Sequence, residues 1–223
     1  MPSSQKKGAI ASVYIDNVGD GSVMKQNCVI LERFAQRHLE EVVALHLQVF
    51  PGDFITMLGK RFLLEIFYPL FLVKPGMGFV AMDEGKVVGY VVGGRGSGGL
   101  AAGKVLRVLP GTLWGLAIRA LGAPRRFWGI GIRVLRELGI KYPTGQGVLA
   151  YIAVAPSWQG KGIGRRLVEN FVEALKEEGV KECYVKGWAG NKAGEGLYLS
   201  CGFRVWRQFN TPEGLRRIYR LEL

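Results

Sequence analysis

The 223-residue chain reads as a single α+β domain built around a mixed sheet. Hydrophobic residues make up 48% of it, ample for the core of one large domain. Two apolar stretches fold back over short turns, "GFVAMDEGKVVGYVVGG" (78–94) and "FRVWRQFNTPEGLRRIYRLEL" (203–223), and read as β-hairpins. Between them strand patterns alternate with helical ones. Hairpins and strand–helix–strand crossovers in one chain argue against a doubly wound parallel sheet.

Taken in order, residues 1–26 are polar and Gly/Ser-rich and are expected to be a loosely held tail, leaving 27–223 as the domain. "CVILERF" (28–34) is a strand. "AQRHLEEVVALHLQVF" (35–50) places Leu39, Val42, Val43 and His46 at helical spacing. "PGD" breaks that helix, and a second is predicted over roughly 54–72, broken or ended near Pro69. After the first hairpin comes the strand "GVLAYIAVA" (147–155). Residues 162–178 are helical, with Ile163, Leu167, Phe171 and Leu175 on one face. "KECYVKGW" (181–188) is a strand, and "AGEGLYLSCG" (193–202) a short helix stopped by Gly202.

Residues 95–146 break this rhythm. They hold nine Lys/Arg against one acid, Glu137, and so carry +8 of the chain's net +12. Leu106, Leu109, Trp114, Phe127 and Trp128 lie among the charges, so the stretch reads as a basic, amphipathic helical insertion between two sheet strands. The overall excess, 30 Lys+Arg over 18 Asp+Glu, points to an anionic partner. Three cysteines (Cys28, Cys183, Cys201) without a CxxC pair, and only His38 and His46, argue for a reduced, cytoplasmic chain with no metal site and no disulfide framework. The N-terminus lacks the apolar run of a secretory signal. "FLLEIFYPLFLV" (62–73) is too short to span a membrane and contains Glu65.

The chemistry concentrates in "VAPSWQGKGIGRRLVENF" (154–171), where a strand ends, a proline starts a turn and three alternating glycines open a helix. The first amides of a helix have no partner within it and carry its positive dipole end. Glycines let that backbone approach an anion closely, so Gln159–Gly164 has the make-up of a pyrophosphate cradle. A tight turn for helix–sheet packing is the simpler alternative on composition alone. The fuller pattern resembles the acyl-CoA-binding signature of the GNAT superfamily of N-acyltransferases, Gln/Arg-x-x-Gly-x-Gly/Ala, matched by Gln159, Gly162 and Gly164. "NKAGEGLYLSCGF" (191–203) resembles the family's second segment, with seven residues from Asn191 to Tyr198. The resemblance covers about 28–222 outside the insertion.

It implies a mostly antiparallel sheet flanked by helices, and an enzyme that passes the acetyl group of acetyl-CoA to a primary amine by direct attack in a ternary complex. Ile152, Ala153 and Val154 would lie along the pantetheine arm through their backbone. The Val154 amide would meet the thioester oxygen as charge develops there. Gly160, Lys161, Gly162, Ile163, Gly164 and Arg165 would hold the pyrophosphate, with Gln159 at the start of the signature. Asn191 would contact the cofactor arm or order its loop. Tyr198 would protonate the departing thiolate; without the motif it would read as a core tyrosine.

The resemblance does not supply a base. Some members carry a Glu about six residues before the counterpart of Val154, but that position here is Val148. Water, His46, Asp53 and Glu65 stay open, with His46 also readable as a satisfied core histidine and Asp53 as a helix cap. "GRGSGG" (94–99) matches a dinucleotide fingerprint, yet no acid occurs between Glu84 and Glu137 to hold a ribose, so it reads as a hinge. The acceptor is expected to be a small, amino-sugar-like or anionic amine, with a protein N-terminus or lysine as the rival. A non-catalytic basic protein of this fold, docking on membrane or nucleic acid, is the reading from another class. For the insertion, a lid over the acceptor is expected; peripheral membrane contact and a homodimer interface are the alternatives, and no stacking motif favours nucleic acid.

Overall fold

The structure, a computed structural model, describes residues 29–96, 143, 145–211 and 214–223. The expected N-terminal tail, Cys28 and all but the two ends of the basic insertion lie outside the described residues. Seven strands form one sheet: β1 (Ile30–Arg33), β2 (Gly76–Asp83), β3 (Lys86–Arg95), β4 (Gly147–Val154), β5 (Glu182–Trp188), β6 (Arg204–Thr211) and β7 (Gly214–Glu222). Their order is β1-β2-β3-β4-β5-β7-β6. Every neighbouring pair is antiparallel except β4 and β5, which run parallel. The sheet is therefore mixed and mostly antiparallel, as expected.

The β2–β3 hairpin turns on Glu84 (φ 44°) and Gly85 (φ 78°), the paired positive values that match the twist of a two-residue hairpin. Both strands are buried along most of their length, because helices cover both faces of the sheet. On one face lies α1 (Leu39–Val49), whose Leu39, Val42, Val43, Leu45 and His46 point inward. Phe34, Tyr68, Phe71, Tyr90 and Val92 close that core. On the other face lie α4 (Ile163–Glu177) and α5 (Lys192–Ser200). Ile163, Leu167, Val168, Phe171, Val172 and Leu175 of α4 form one stripe of the second core, with Leu149, Val185, Tyr198 and Phe203.

The single helix predicted over 54–72 is not formed. The chain makes two short helices, α2 (Phe54–Met57) and α3 (Lys60–Phe62), then a π turn over Leu63–Phe67 and a 3₁₀ turn over Tyr68–Phe71. Gly59, at φ 96°, interrupts the first run in a conformation that favours glycine. Pro69 has no N–H to continue the helical ladder. Between these breaks Leu63, Ile66, Phe67, Tyr68, Leu70 and Phe71 are all buried. All but Tyr68 keep the spacing of one helical face, so the apolar pattern survives although the turns that carry it change.

At the far end of β3, Arg95 pairs with Gly147, and the Gly96 N–H donates to Gln146 O at 2.9 Å. The two ends of the insertion thus leave the sheet side by side, at the end of β4 remote from Val154.

Candidate active site

β4 and β5 pair over only three positions, Gly147 with Cys183, Val148 with Tyr184 and Leu149 with Val185. Beyond them β4 stays on β3 as far as Val154, while β5 stays on β7 as far as Trp188. The two strands part, leaving a wedge-shaped gap in the middle of the sheet. A bulge marks the parting. Gly93 pairs with Leu149 but Val92 with Tyr151, so Ala150 is the extra residue. As a result Ala150 and Tyr151 both pack on the α1 face, while Ile152 and Val154 pack on the α4 face.

The Ala155 N–H donates to Val88 O at 2.8 Å. Backbone groups alternate sides along a strand, so the N–H groups of Val154 and Ile152 point away from β3, to the side that β5 has left. The Val154 carbonyl faces the same way and accepts from Gln159 Nε2 at 3.0 Å. Ala153 is buried in the α1-side core, and its backbone groups turn to β3.

The glycine turn lies at this end of β4. Gly160 and Gly162 both hold φ 76°, and a Cβ on either would meet nothing within 4 Å. Gly162 caps α4, whose first amides have no partner within the helix. Gly164 packs the first turn of α4 against its neighbours: a Cβ there would lie 3.3 Å from Leu197 of α5 and 3.8 Å from Val154. The Ile163 side chain is buried in the core, so only its backbone is available to a ligand. Lys161 stacks over the Trp158 ring at 4.4 Å, and Arg165 pairs with Glu169 at 2.8 Å. An open, glycine-lined helix start with two cations beside it fits a pyrophosphate.

On the β5 side of the gap, Tyr198 of α5 is buried, its ring 5.4 Å from that of Tyr219 and against Gly187. Burial, and then the neighbouring Tyr219 and Cys201, push its hydroxyl pKa well above 10. Asn191 caps α5 by accepting from the Gly194 N–H at 3.0 Å, which orders the loop after β5. The motif residues Val154, Gly160–Arg165, Asn191 and Tyr198 are thus brought around one gap.

The α1 face behind the gap holds a polar cluster in which His46 and Asp53, both marked in the sequence, meet Thr56, Tyr68, Tyr90 and Tyr151, which were not. His46 is fully buried, and Thr56 Oγ1 lies 3.0 Å from its Nε2. Thr56 already donates to Phe50 O at 2.6 Å, so it accepts from Nε2–H, which leaves Nδ1 as the acceptor. Tyr68 donates to the Tyr90 oxygen at 2.7 Å, and the two hydroxyls lie 2.7 Å and 3.0 Å from Nδ1. Burial pushes the His46 pKa down to about 4, with Asp53 working weakly in the other direction. Tyr151 stacks edge-on to His46 and donates to Asp53 Oδ2 at 2.5 Å. Asp53 also accepts from the Ile55 N–H at 3.3 Å, capping α2 as expected. Glu65 lies apart from this cluster, paired with Arg61 at 2.7 Å. Among the described residues no group of three or more His, Cys, Asp or Glu is placed to hold a metal ion.

A curated relative, the [ribosomal protein bS18]-alanine N-acetyltransferase of Escherichia coli, is 38% identical over 58 residues, which is 26% of this chain and 39% of that protein. The chain thus spans about two-fifths of the length of the curated relatives it matches. The crystal structure of the Escherichia coli ribosomal-protein-S18-alanine N-acetyltransferase superposes with a TM-score of 0.52 at 17% identity, over 86% of this chain and 92% of that one. Arabidopsis thaliana NAA60, in complex with acetyl-CoA, superposes with a TM-score of 0.55 at 12% identity, over 87% of this chain and 98% of that one. The model of the acetyltransferase (GNAT) family matches residues 39–203, and with that match over most of its length the chain belongs to the GNAT acetyltransferase family.

Proposed function

We propose that this GNAT acetyltransferase uses acetyl-CoA and transfers its acetyl group to a primary amine by direct attack, with both substrates bound at once. The observation that carries this reading is the parting of β4 from β5 after Leu149 and Val185, with the glycine turn at its mouth. The gap offers an extended arm a pair of strand edges to lie between. The first amides of α4 hold the pyrophosphate at one end. Bound acetyl-CoA supplies an activated acyl group. The Val154 N–H, pointing into the gap, stabilises the charge that develops on the thioester oxygen. Tyr198, on α5, packs against Gly187 of β5 on the other side of the gap. Its raised pKa keeps the hydroxyl protonated at neutral pH, the state a general acid for the departing sulfur requires.

The net charge of +12 favours an acceptor that carries negative charge beside its amine, such as a phosphorylated amino-sugar-like small molecule. A protein N-terminus is the second reading, favoured by the 58-residue stretch shared with the bS18-alanine N-acetyltransferase. A screen of CoA release with acetyl-CoA against small amines, amino sugars and peptides with free N-termini tests both. Acceptor-dependent release is expected. Its absence across the panel, together with no thermal stabilisation by millimolar acetyl-CoA, would overturn the catalytic reading.

A further inference from the structure

Resting on that acetyl-transfer reading, we infer that Asp53, held by the Tyr151 hydroxyl, is the carboxylate that receives the acceptor ammonium and takes its proton. A base is needed because an alkylamine arrives protonated at neutral pH and has no lone pair to attack with. β4 has no carboxylate of its own over Gly147–Val154. The bulge at Ala150 provides another route. It turns Tyr151 onto the α1 face at the point where β5 departs, opposite the face on which α4 and its glycine turn sit. Tyr151 reaches across to Asp53 Oδ2 at 2.5 Å. A carboxylate from the α1–α2 connection is thereby tied to the strand that borders the gap, on the face opposite the glycine turn.

Three other carboxylates on this part of the molecule are engaged away from β4. Glu65 binds Arg61, Glu41 accepts from the Val87 N–H, and Glu32 binds Arg37. Asp53 accepts through Oδ2 from both Tyr151 and the Ile55 N–H. A carboxylate has a second oxygen, and an ammonium can dock on it without breaking either contact. His46, the nearest histidine, does not compete for the role, since both its ring nitrogens are committed to Thr56, Tyr68 and Tyr90.

The step balances as follows. The ammonium gives one proton to Asp53, which passes it to solvent. The freed nitrogen lone pair forms the C–N bond to the acetyl carbonyl carbon, and the C–S bond breaks. The nitrogen loses its second proton to solvent. The thiolate gains one from Tyr198, which solvent restores.

The test compares two acceptors, a cationic alkylamine and an aminooxy compound that is already neutral at pH 7. Asp53→Asn keeps the α2 cap and an acceptor for Tyr151, but removes the base. It should lower kcat/KM about 100-fold with the alkylamine and no more than about threefold with the aminooxy acceptor. Acetyl-CoA affinity, read by thermal shift, should not change. Tyr151→Phe repeats the test without touching the cap, and should also cost more with the alkylamine. Equal losses with both acceptors would mean a structural role and overturn the inference, as would an unchanged rate. Both acceptors are drawn from amines that support CoA release in the panel; wild-type protein that releases CoA with no amine of that panel and is not stabilised by acetyl-CoA would overturn the acetyl-transfer reading itself and this inference with it.

Discussion

Tyr198, the proposed general acid, gives the simplest test of the chemistry. Replacing it by Phe keeps the ring packed against Phe203 and Tyr219 and removes only the hydroxyl. Turnover should fall roughly 10- to 1,000-fold, the scale of a lost general acid, while acetyl-CoA binding stays constant; steady-state rates beside a binding titration read both. His46 gives a second, independent expectation. Its pKa is 6.5 when free and about 4 in the fold, so between those values the unfolded chain binds more protons than the folded one. Its contribution to stability is complete above pH 6.5 and is lost as pH falls towards 4. Urea unfolding at pH 5 should show about 2 kcal/mol less stability than at pH 7 from this group. His38 is shifted the same way, chiefly by burial, so the flattening of the slope in a His46→Gln variant isolates the share of His46. The sequence showed His46 on an apolar helix face and allowed a satisfied core histidine. It did not show Tyr68, Tyr90 and Thr56 closing on that ring. Nor did it show Tyr151 meeting Asp53, because these partners are separated by 10 to 98 positions and no local pattern joins them.

At the scale of elements, the glycine turn and α4 were the most legible part of the chain. A turn and an amphipathic helix are local, and their spacing is written directly in residues 159–175. Gly162→Asp tests the turn: at φ 76° a side chain is strained, and its carboxylate would face the pyrophosphate. CoA affinity should drop at least about tenfold, or about 1.4 kcal/mol; a folded variant with unchanged affinity in calorimetry would show that the turn serves packing alone. The stretch over 54–72 was less legible. Apolar spacing reports which face is buried and differs little between α, π and 3₁₀ turns, so it did not disclose the change of turn over 63–71. The bulge at Ala150 was also hidden, since it depends on how Gly93 and Leu149 register across two strands. That bulge turns Tyr151 to the α1 face, where its hydroxyl meets Asp53.

For the whole molecule, the hairpins and crossovers in the sequence specify a mixed sheet, and the pairing confirms it. The parting of β4 from β5 is a property of the assembled sheet rather than of either strand. Both strands are long enough to pair further, and each does so with its other neighbour. The glycine turn and Tyr198 belong to the α4 face, and Tyr151, with Asp53 bonded to it, to the α1 face. Two faces meeting at one gap suit two substrates that meet there and react without an enzyme-bound intermediate. Initial-rate kinetics with acetyl-CoA and an active amine varied together test this most directly. Intersecting double-reciprocal lines, with no acetyl group retained on the protein when the amine is omitted, are the expected result. Parallel lines with a stable acetyl-enzyme would contradict the account.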